Sequence, residues 1–324
     1  MAVYTEVSFE QAGALMESVG LGALQSLAPC SGGIENTNYF ADTASGRYVL
    51  TVFERLRADE LPFYLQLMKH HAEHGLPVPR PHGDGSGSLV LALAGKPAAI
   101  VDRLPGEHHL APDAPDCASI GVVLARMHRS ARDFAPAQPN LRGLAWWSET
   151  VPVVVPHLDA ERAALMQDEL AYQRHLAASA AYATLPRAAI HADLFRDNAM
   201  FVERTLAGVF DFYFAGVDTL LFDIAVALND WCIDLDTGRL DEMRAAALVA
   251  AYQSLRPLES AELRLLPALM RAAAFRFWLS RSWDLHLPRD AVVLTAHDPD
   301  HFQRVLVQRR ESPWHPSRSQ RVAS

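Results

Sequence analysis

The sequence predicts an α+β chain in two lobes: a small β-rich N-terminal lobe over residues 1–105, hinge included, and a larger, mainly helical C-terminal lobe over 106–324. Three observations carry this expectation. Alternating apolar runs bounded by turn residues concentrate before Asp102, as half-buried strands require. The run Asp102-Arg103-Leu104-Pro105-Gly106 closes that region, and helical spacing prevails after it except around residues 188–212. With 324 residues, half of them hydrophobic, the chain can bury a sizeable core in either lobe.

In order, residues 8–27 read as a helix with Leu15, Val19 and Leu24 among its apolar positions. Cys30 to Phe40 leads into an alternating pattern, and residues 47–53 read as a second strand after the turn Ala44-Ser45-Gly46. Gly32 and Gly33 permit close backbone approach and Asn36 and Asn38 tolerate unusual dihedrals, so this hairpin is suited to lie over phosphates. It is not a G-x-G-x-x-G loop, and taken alone an ordinary β-turn is the default reading. Residues 59–74 read as an amphipathic helix with Asp59 as N-cap, Pro62 in the first turn, Leu61, Tyr64, Leu65, Met68 and Ala72 on one face, and Gly75 as its stop. His70 and His74 lie four apart, but without an H-E-x-x-H pattern they read as a solvated face rather than a zinc site. The prolines of Leu76-Pro-Val-Pro-Arg-Pro81 hold that segment extended. Residues 89–93 and 98–101 then read as strands paired across Ala94-Gly95-Lys96-Pro97.

In the larger lobe, residues 116–129 read as a helix with Ile120, Val123, Leu124 and Met127 inward. The stretch 132–156, rich in Pro and Trp, reads as irregular, with Trp146 and Trp147 either walling a substrate cleft or packing under a loop. A helix over 159–182 leads to a short strand ending at Ile190. Beyond residue 238 three or more helices follow, one of them over 261–284 carrying Arg271, Phe275, Arg276, Phe277, Trp278 and Arg281, and the last dozen residues read as frayed.

Charge and cysteine content narrow the function. The balance of 29 basic and 38 acidic residues gives a net charge of −9 without a basic run, which argues against nucleic acid as a partner. Cys30, Cys117 and Cys232 are odd in number and far apart, forming neither a disulfide framework nor a metal motif, and so point to a reduced cytoplasmic setting. The N-terminus has no basic and apolar leader pattern, and no apolar stretch is long enough to cross a membrane.

The chemistry concentrates in residues 188–212, where His191-x-Asp193-x-x-x-x-Asn198 is followed by a short hairpin and Asp211-Phe212. This is the arrangement by which protein-kinase-like enzymes place a base and two magnesium ligands around a nucleotide. Phosphoryl transfer to a hydroxyl asks mainly for positioning and charge neutralisation. Asp193, in a loop after the strand, suits the role of proton acceptor for the attacking hydroxyl. Asn198 and Asp211 offer hard oxygen donors to Mg²⁺. Residues 199–202 and 206–210 read as two strands joined by Glu203-Arg204-Thr205, which would return Asp211 toward Asn198. Asp223 opens an apolar helix, as N-cap or as a brace for the catalytic loop, a structural role in either case.

With these residues in view, the chain resembles the aminoglycoside phosphotransferase and choline kinase superfamily, the small-molecule branch of the protein-kinase-like fold, over most of its length. Within it, Gly33-Ile-Glu-Asn36-Thr-Asn38-Tyr-Phe, Gly46-Arg-Tyr-Val-Leu-Thr-Val-Phe-Glu54-Arg, Glu60-Leu-Pro-Phe-Tyr-Leu, His191-Ala-Asp-Leu-Phe-Arg-Asp-Asn198 and Arg276-Phe-Trp-Leu-Ser-Arg281 resemble the bacterial homoserine kinase family of this fold. The resemblance implies a two-lobed protein-kinase-like fold, MgATP as phosphoryl donor, and the side-chain hydroxyl of L-homoserine as acceptor, on the way to threonine. It implies a hinge in which Asp102 and Leu104 offer backbone groups to adenine, and a phosphate hairpin built on Gly32, Gly33, Asn36 and Asn38. His191 and Asp223 would support the catalytic loop. An amino-acid substrate also asks for a carboxylate partner, for which Arg276 or Arg281 is suited, and an ammonium partner, Asp197 or Asp230. The chain departs from the superfamily in two places. Thr51 stands where a phosphate-contacting Lys or Arg is usual, so no ion pair to Glu60 follows. Tyr213 rather than Gly follows Asp211-Phe212, so no flip of that segment is implied. A kinase of another small alcohol, such as an aminoglycoside, choline or a sugar, and a nucleotide-binding regulatory protein without catalysis are the competing expectations.

Overall fold

A computed structural model describes residues 5–30, 36–287 and 297–316. The chain divides into two compact units, Met1–Glu107 with Ala207–Tyr213, and His108–Leu206 with Phe214–Ser324. The first crossing falls two residues beyond the lobe boundary read from the sequence. The return of 207–213 to the first unit has no counterpart in that reading.

The first unit is an antiparallel sheet with two helices. Helix α1 (Phe9–Ser18) starts at Ser8, whose hydroxyl and the Gln11 side chain form a capping box. It ends nine residues earlier than the spacing suggests. Gly20 and Gly22 adopt φ of 76° and 82°, conformations that stop a helix, and Leu24 opens β1 (Leu24–Pro29) instead. Strands β2 (Thr37–Thr43) and β3 (Gly46–Val52), helix α2 (Pro62–Glu73), and strands β4 (Pro81–His82), β5 (Leu91–Leu93) and β6 (Lys96–Asp102) follow. The sheet order is β1-β2-β3-β6-β4, with β5 paired to β6. Ala94 and Gly95, both at positive φ, make the two-residue turn between β5 and β6, so Lys96 and Pro97 belong to the strand rather than the turn. Helix α2 is not capped by Asp59, whose carboxylate binds Arg57 at 3.1 Å. Its start is set by Pro62 in the first turn behind Leu61.

Alternation gives this sheet two faces. Tyr39, Ala41, Leu50, Val52, Ala98 and Ile100 close a core with Ala12 and Met16 of α1. Asn38, Phe40, Val49 and Thr51 point to the other face by the same alternation.

In the second unit, α3 (Ala114–Ser130) is capped by Asp113, with Asp116 completing the box. The stretch read as irregular contains α4 (Leu144–Val154). Pro152 and the two tryptophans obscured its period, yet Trp147 is buried, donates from Nε1 to the Arg142 carbonyl at 2.6 Å and meets Phe275 edge-on at 5.6 Å. Of the two readings for Trp147, packing holds. The expected 159–182 helix is two, α5 (Ala160–Ala177) and α6 (Ala180–Ala183), split where Ser179 caps the second. Strand β7 (Arg187–Ile190) pairs with β10 (Gly216–Thr219), and β8 (Ala199–Val202) with β9 (Thr205–Val209). Glu203, at φ 53°, turns the latter hairpin, so Thr205 begins the strand rather than ending the turn. Helix α7 (Leu220–Trp231) is buried at every position, as expected of a helix at the centre of a helical unit. Helices α8 (Glu242–Leu255), α9 (Ser260–His286) and α10 (Pro299–Glu311) complete the fold. Among the described residues no helix is long and apolar enough to cross a membrane.

Candidate active site

Strand β7 delivers the loop that carries Asp193. After Ile190 the chain turns at Ala192, a non-glycine residue at φ 64°. That strained conformation needs support, and Asp223 supplies it, accepting from the amides of His191 at 2.9 Å and Ala192 at 2.8 Å. Asp223 is not the N-cap of α7. Thr219 fills that place, accepting from the Phe222 amide, while His128 Nε2 lies 3.0 Å from Asp223 Oδ2, the oxygen that also accepts from the His191 amide. Burial pushes the Asp223 carboxyl up, but the hydrogen bonds from His128 and from the His191 amide outweigh it, leaving the group below its ordinary value.

Asp193 sits next in the loop, its amide donating to His191 Nδ1 at 3.2 Å. Asn198 folds back on it, its amide nitrogen 2.8 Å from the Asp193 carbonyl and 3.3 Å from Oδ2. The amide nitrogen of Asn198 is thus committed, and its carbonyl oxygen is the donor it can offer a cation. Arg276 on α9 is buried, with Nη1 3.9 Å from Asp193 Oδ1. Its guanidinium lies over Phe277 at 3.8 Å and Phe214 at 4.9 Å, an arrangement in which rings hold the planar group in place. Arg281 lies over Phe302 at 4.6 Å and donates to the Asp298 carbonyl at 3.2 Å. Burial lowers its pKa, against the attraction of Asp230, Asp193, Asp298 and Asp197.

The two candidate ammonium partners differ. Asp230 is buried, and its Oδ2 already accepts from the amide of Arg196 at 2.8 Å and from Arg196 Nε at 3.0 Å. Burial raises its pKa despite that partner. Arg196, which the sequence reading passed over, also donates to the main-chain oxygens of Leu110 and Asp230, so Asp230 locks the loop from below. Asp197 is exposed.

The remaining expected residues belong to the first unit. Gly32 and Gly33 lie outside the described residues, and Asn36 immediately precedes β2. Asn38 stands opposite Thr51 across β2 and β3, and the Thr51 hydroxyl donates to Asn38 Oδ1 at 2.7 Å. A neutral hydrogen-bonded pair therefore occupies the place where the superfamily usually carries a cation. In the hinge, the Asp102 amide donates to the Arg80 carbonyl and its carboxylate meets His82 Nε2 at 2.7 Å. Asp102 therefore has no amide to offer adenine. Leu104 packs against Gly208, where a Cβ would come within 2.8 Å of its methyl carbons. Beside them Arg103 stacks 3.7 Å over Phe40. Asp211 holds φ 65°. The residues after it are anchored by rings: Phe212 is buried 5.8 Å from His71, and Tyr213 meets Phe53 at 5.0 Å and Tyr64 at 6.0 Å, edge-on to both.

Among the described residues no cluster of three or more His, Cys, Asp or Glu could hold a metal by itself. One amide oxygen and one carboxylate are the protein share typical of Mg²⁺, whose other positions go to phosphates and water.

The profile of the phosphotransferase enzyme family matches residues 26–258. The chain belongs to the phosphotransferase enzyme family. Relatives within it include the homoserine kinase of Polaromonas naphthalenivorans, 60% identical over 97% of this chain and 99% of that one, and the homoserine kinase of Paraburkholderia xenovorans, 51% identical over 95% and 96%. Among solved structures, an aminoglycoside phosphotransferase from Alicyclobacillus acidocaldarius superposes with a TM-score of 0.66 at 17% identity over 96% of this chain and 95% of that one. An amicoumacin kinase in complex with AMP-PNP, Ca²⁺ and Ami superposes with a TM-score of 0.64 at 16% identity over 88% and 87%. At such identity these structures establish the fold: the phosphotransferase is two-lobed and protein-kinase-like, with an antiparallel β-sheet in one lobe and helices in the other.

Proposed function

We propose that the chain transfers the γ-phosphoryl group of MgATP to the side-chain hydroxyl of L-homoserine, yielding O-phospho-L-homoserine for threonine synthesis. The observation that carries this reading is 60% identity to a homoserine kinase across nearly the whole of both chains. The cytoplasm is the compartment we propose, in keeping with a reaction that consumes ATP and with three cysteines that are all free thiols.

Asp193 is the proposed proton acceptor. As the homoserine oxygen bonds to phosphorus and the bond to the ADP oxygen breaks, the hydroxyl proton passes to an Asp193 carboxylate oxygen. Asn198 steadies that carboxylate through its amide, and Asp223 steadies the backbone behind it. Asn198 and Asp211 are the proposed metal ligands, resting on their spacing in the sequence and on the donor chemistry of each. The Mg²⁺ they would hold neutralises charge on the phosphates. For the amino-acid end, Arg276 is the proposed carboxylate anchor: its guanidinium is held against the Phe277 and Phe214 rings with Nη1 near Asp193, so little ordering remains when a carboxylate binds. Arg281 supplements it. Asp197 is the proposed ammonium partner, because Asp230 is engaged by Arg196. Gly32, Gly33, Asn36 and Asn38 remain the proposed phosphate hairpin, and Leu104 with the Asp102 carbonyl the proposed hinge contacts.

A coupled ADP-release assay with MgATP against L-homoserine, L-serine, choline and an aminoglycoside tests the reading. Turnover confined to homoserine and lost in Asp193→Asn is expected. Preference for another alcohol would discard the substrate, and silence with all four would return weight to a regulatory nucleotide binder. In Asp193→Asn, kcat is expected to fall by about 10²–10⁴-fold with the KM for ATP nearly unchanged.

A further inference from the structure

The support beneath the catalytic loop does not stop at Asp223. Its partner His128, on α3, is fully buried, and the other ring nitrogen, Nδ1, lies 2.7 Å from the hydroxyl of Tyr252 on α8. Tyr252 in turn lies 3.2 Å from Arg256 Nη1, which also reaches Glu262 Oε1 on α9 at 2.9 Å. These groups are drawn from four helices and share one line of hydrogen bonds that ends on the amides of His191 and Ala192.

The direction of that line follows from what each group can donate. A guanidinium only donates, so the Tyr252 oxygen accepts from Arg256 and its own proton is left for His128. With a neutral ring, Nδ1 of His128 is then the acceptor, the ring proton sits on Nε2, and Nε2–H is the donor that the Asp223 carboxylate requires. With the opposite tautomer, a lone pair on Nε2 would face a buried carboxylate at 3.0 Å, an arrangement costly in a dry interior.

We propose that Tyr252 is a positioning residue for the phosphoryl transfer: by donating to Nδ1 it selects the Nε2–H tautomer of His128, and through Asp223 this holds the strained turn at Ala192 that presents Asp193. Neither His128 nor Tyr252 touches the reacting atoms. This rests on the reading of Asp193 as the acceptor of the homoserine proton.

Two measurements decide it. A long-range ¹H–¹⁵N spectrum of the whole protein needs no substrate, and is expected to show His128 protonated at Nε2 and unprotonated at Nδ1. Tyr252→Phe is expected to mix the tautomers and to lower kcat by about tenfold while both KM values hold. His128→Gln offers an amide N–H to Asp223 with no tautomer to choose, so it is expected to keep most of the activity and to blunt the effect of Tyr252→Phe in the double variant. A proton on Nδ1 in the unaltered protein would overturn the proposal, as would a Tyr252→Phe variant that loses thermal stability with kcat unchanged, or one whose loss of kcat is undiminished in the His128→Gln background. Should the unaltered protein fail to phosphorylate homoserine, the functional reading falls by itself, and the spectrum still decides the tautomer.

Discussion

At the scale of single residues, the site combines groups that were legible from local spacing with groups that were not. His191, Asp193 and Asn198 lie within eight positions of one another, so a motif captures them. His128 and Tyr252 support the same loop through contacts that span 95 residues, His128 to Asp223, and 124 residues, His128 to Tyr252, separations over which spacing carries no information. Arg196 was passed over for a different reason: a loop arginine reads as solvated, and only the fold shows it buried on Asp230. At Arg276 the distinction between charge and shape is testable. Arg276→Lys keeps a cation near Asp193 but loses the flat group stacked on Phe277 and Phe214. The KM for homoserine is expected to rise about tenfold or more, with a smaller change in kcat, in steady-state assays. An unchanged KM would remove Arg276 as the carboxylate anchor.

At the scale of elements, boundaries were the weak point of the sequence reading, and each shift has a local cause. Helix α1 was drawn too long because Leu24 happens to continue its period, while the pair Gly20 and Gly22, whose positive φ ends it, was the signal to weigh. Helix α4 was missed because an internal proline and two tryptophans mask its apolar spacing. The hairpin before Asp211 was legible because alternation and a turn lie side by side. Helix contacts, by contrast, depend on shape. Helices α3 and α8 approach so closely that a Cβ at Gly121 would lie 2.2 Å from the Leu248 carbonyl oxygen. Backbone cannot yield as a side-chain tip can, so Gly121→Ala is expected to cost at least about 1–3 kcal/mol, read as a lower denaturant midpoint at constant slope. Because His128 and Tyr252 sit on those same two helices, the substitution is also expected to lower kcat.

At the scale of the whole molecule, acid sensitivity can be assigned a sign. Burial, with Arg281 and Arg304 nearby, pushes His301 down from 6.5 to about 4. Between those values the unfolded chain takes up a proton that the folded one refuses, so this group's contribution to stability is present above pH 6.5 and is lost as pH falls toward 4. Melting temperatures of the protein and of His301→Gln, measured across that window, are expected to differ in slope, the variant being shallower. Asp223 acts lower, its depressed pKa giving stability that is present above the ordinary carboxylate value of 3.8 and lost below it.

The path of the backbone has one more consequence. Residues 207–213 belong with the first unit, where Val209 donates its amide to the Pro77 carbonyl, Gly208 nestles against Leu104, and Phe212 meets His71. A chimera spliced once after residue 107 would therefore pack a native first unit against a foreign 207–213 segment, and recombination between diverged relatives can exchange that module cleanly only by crossing over three times.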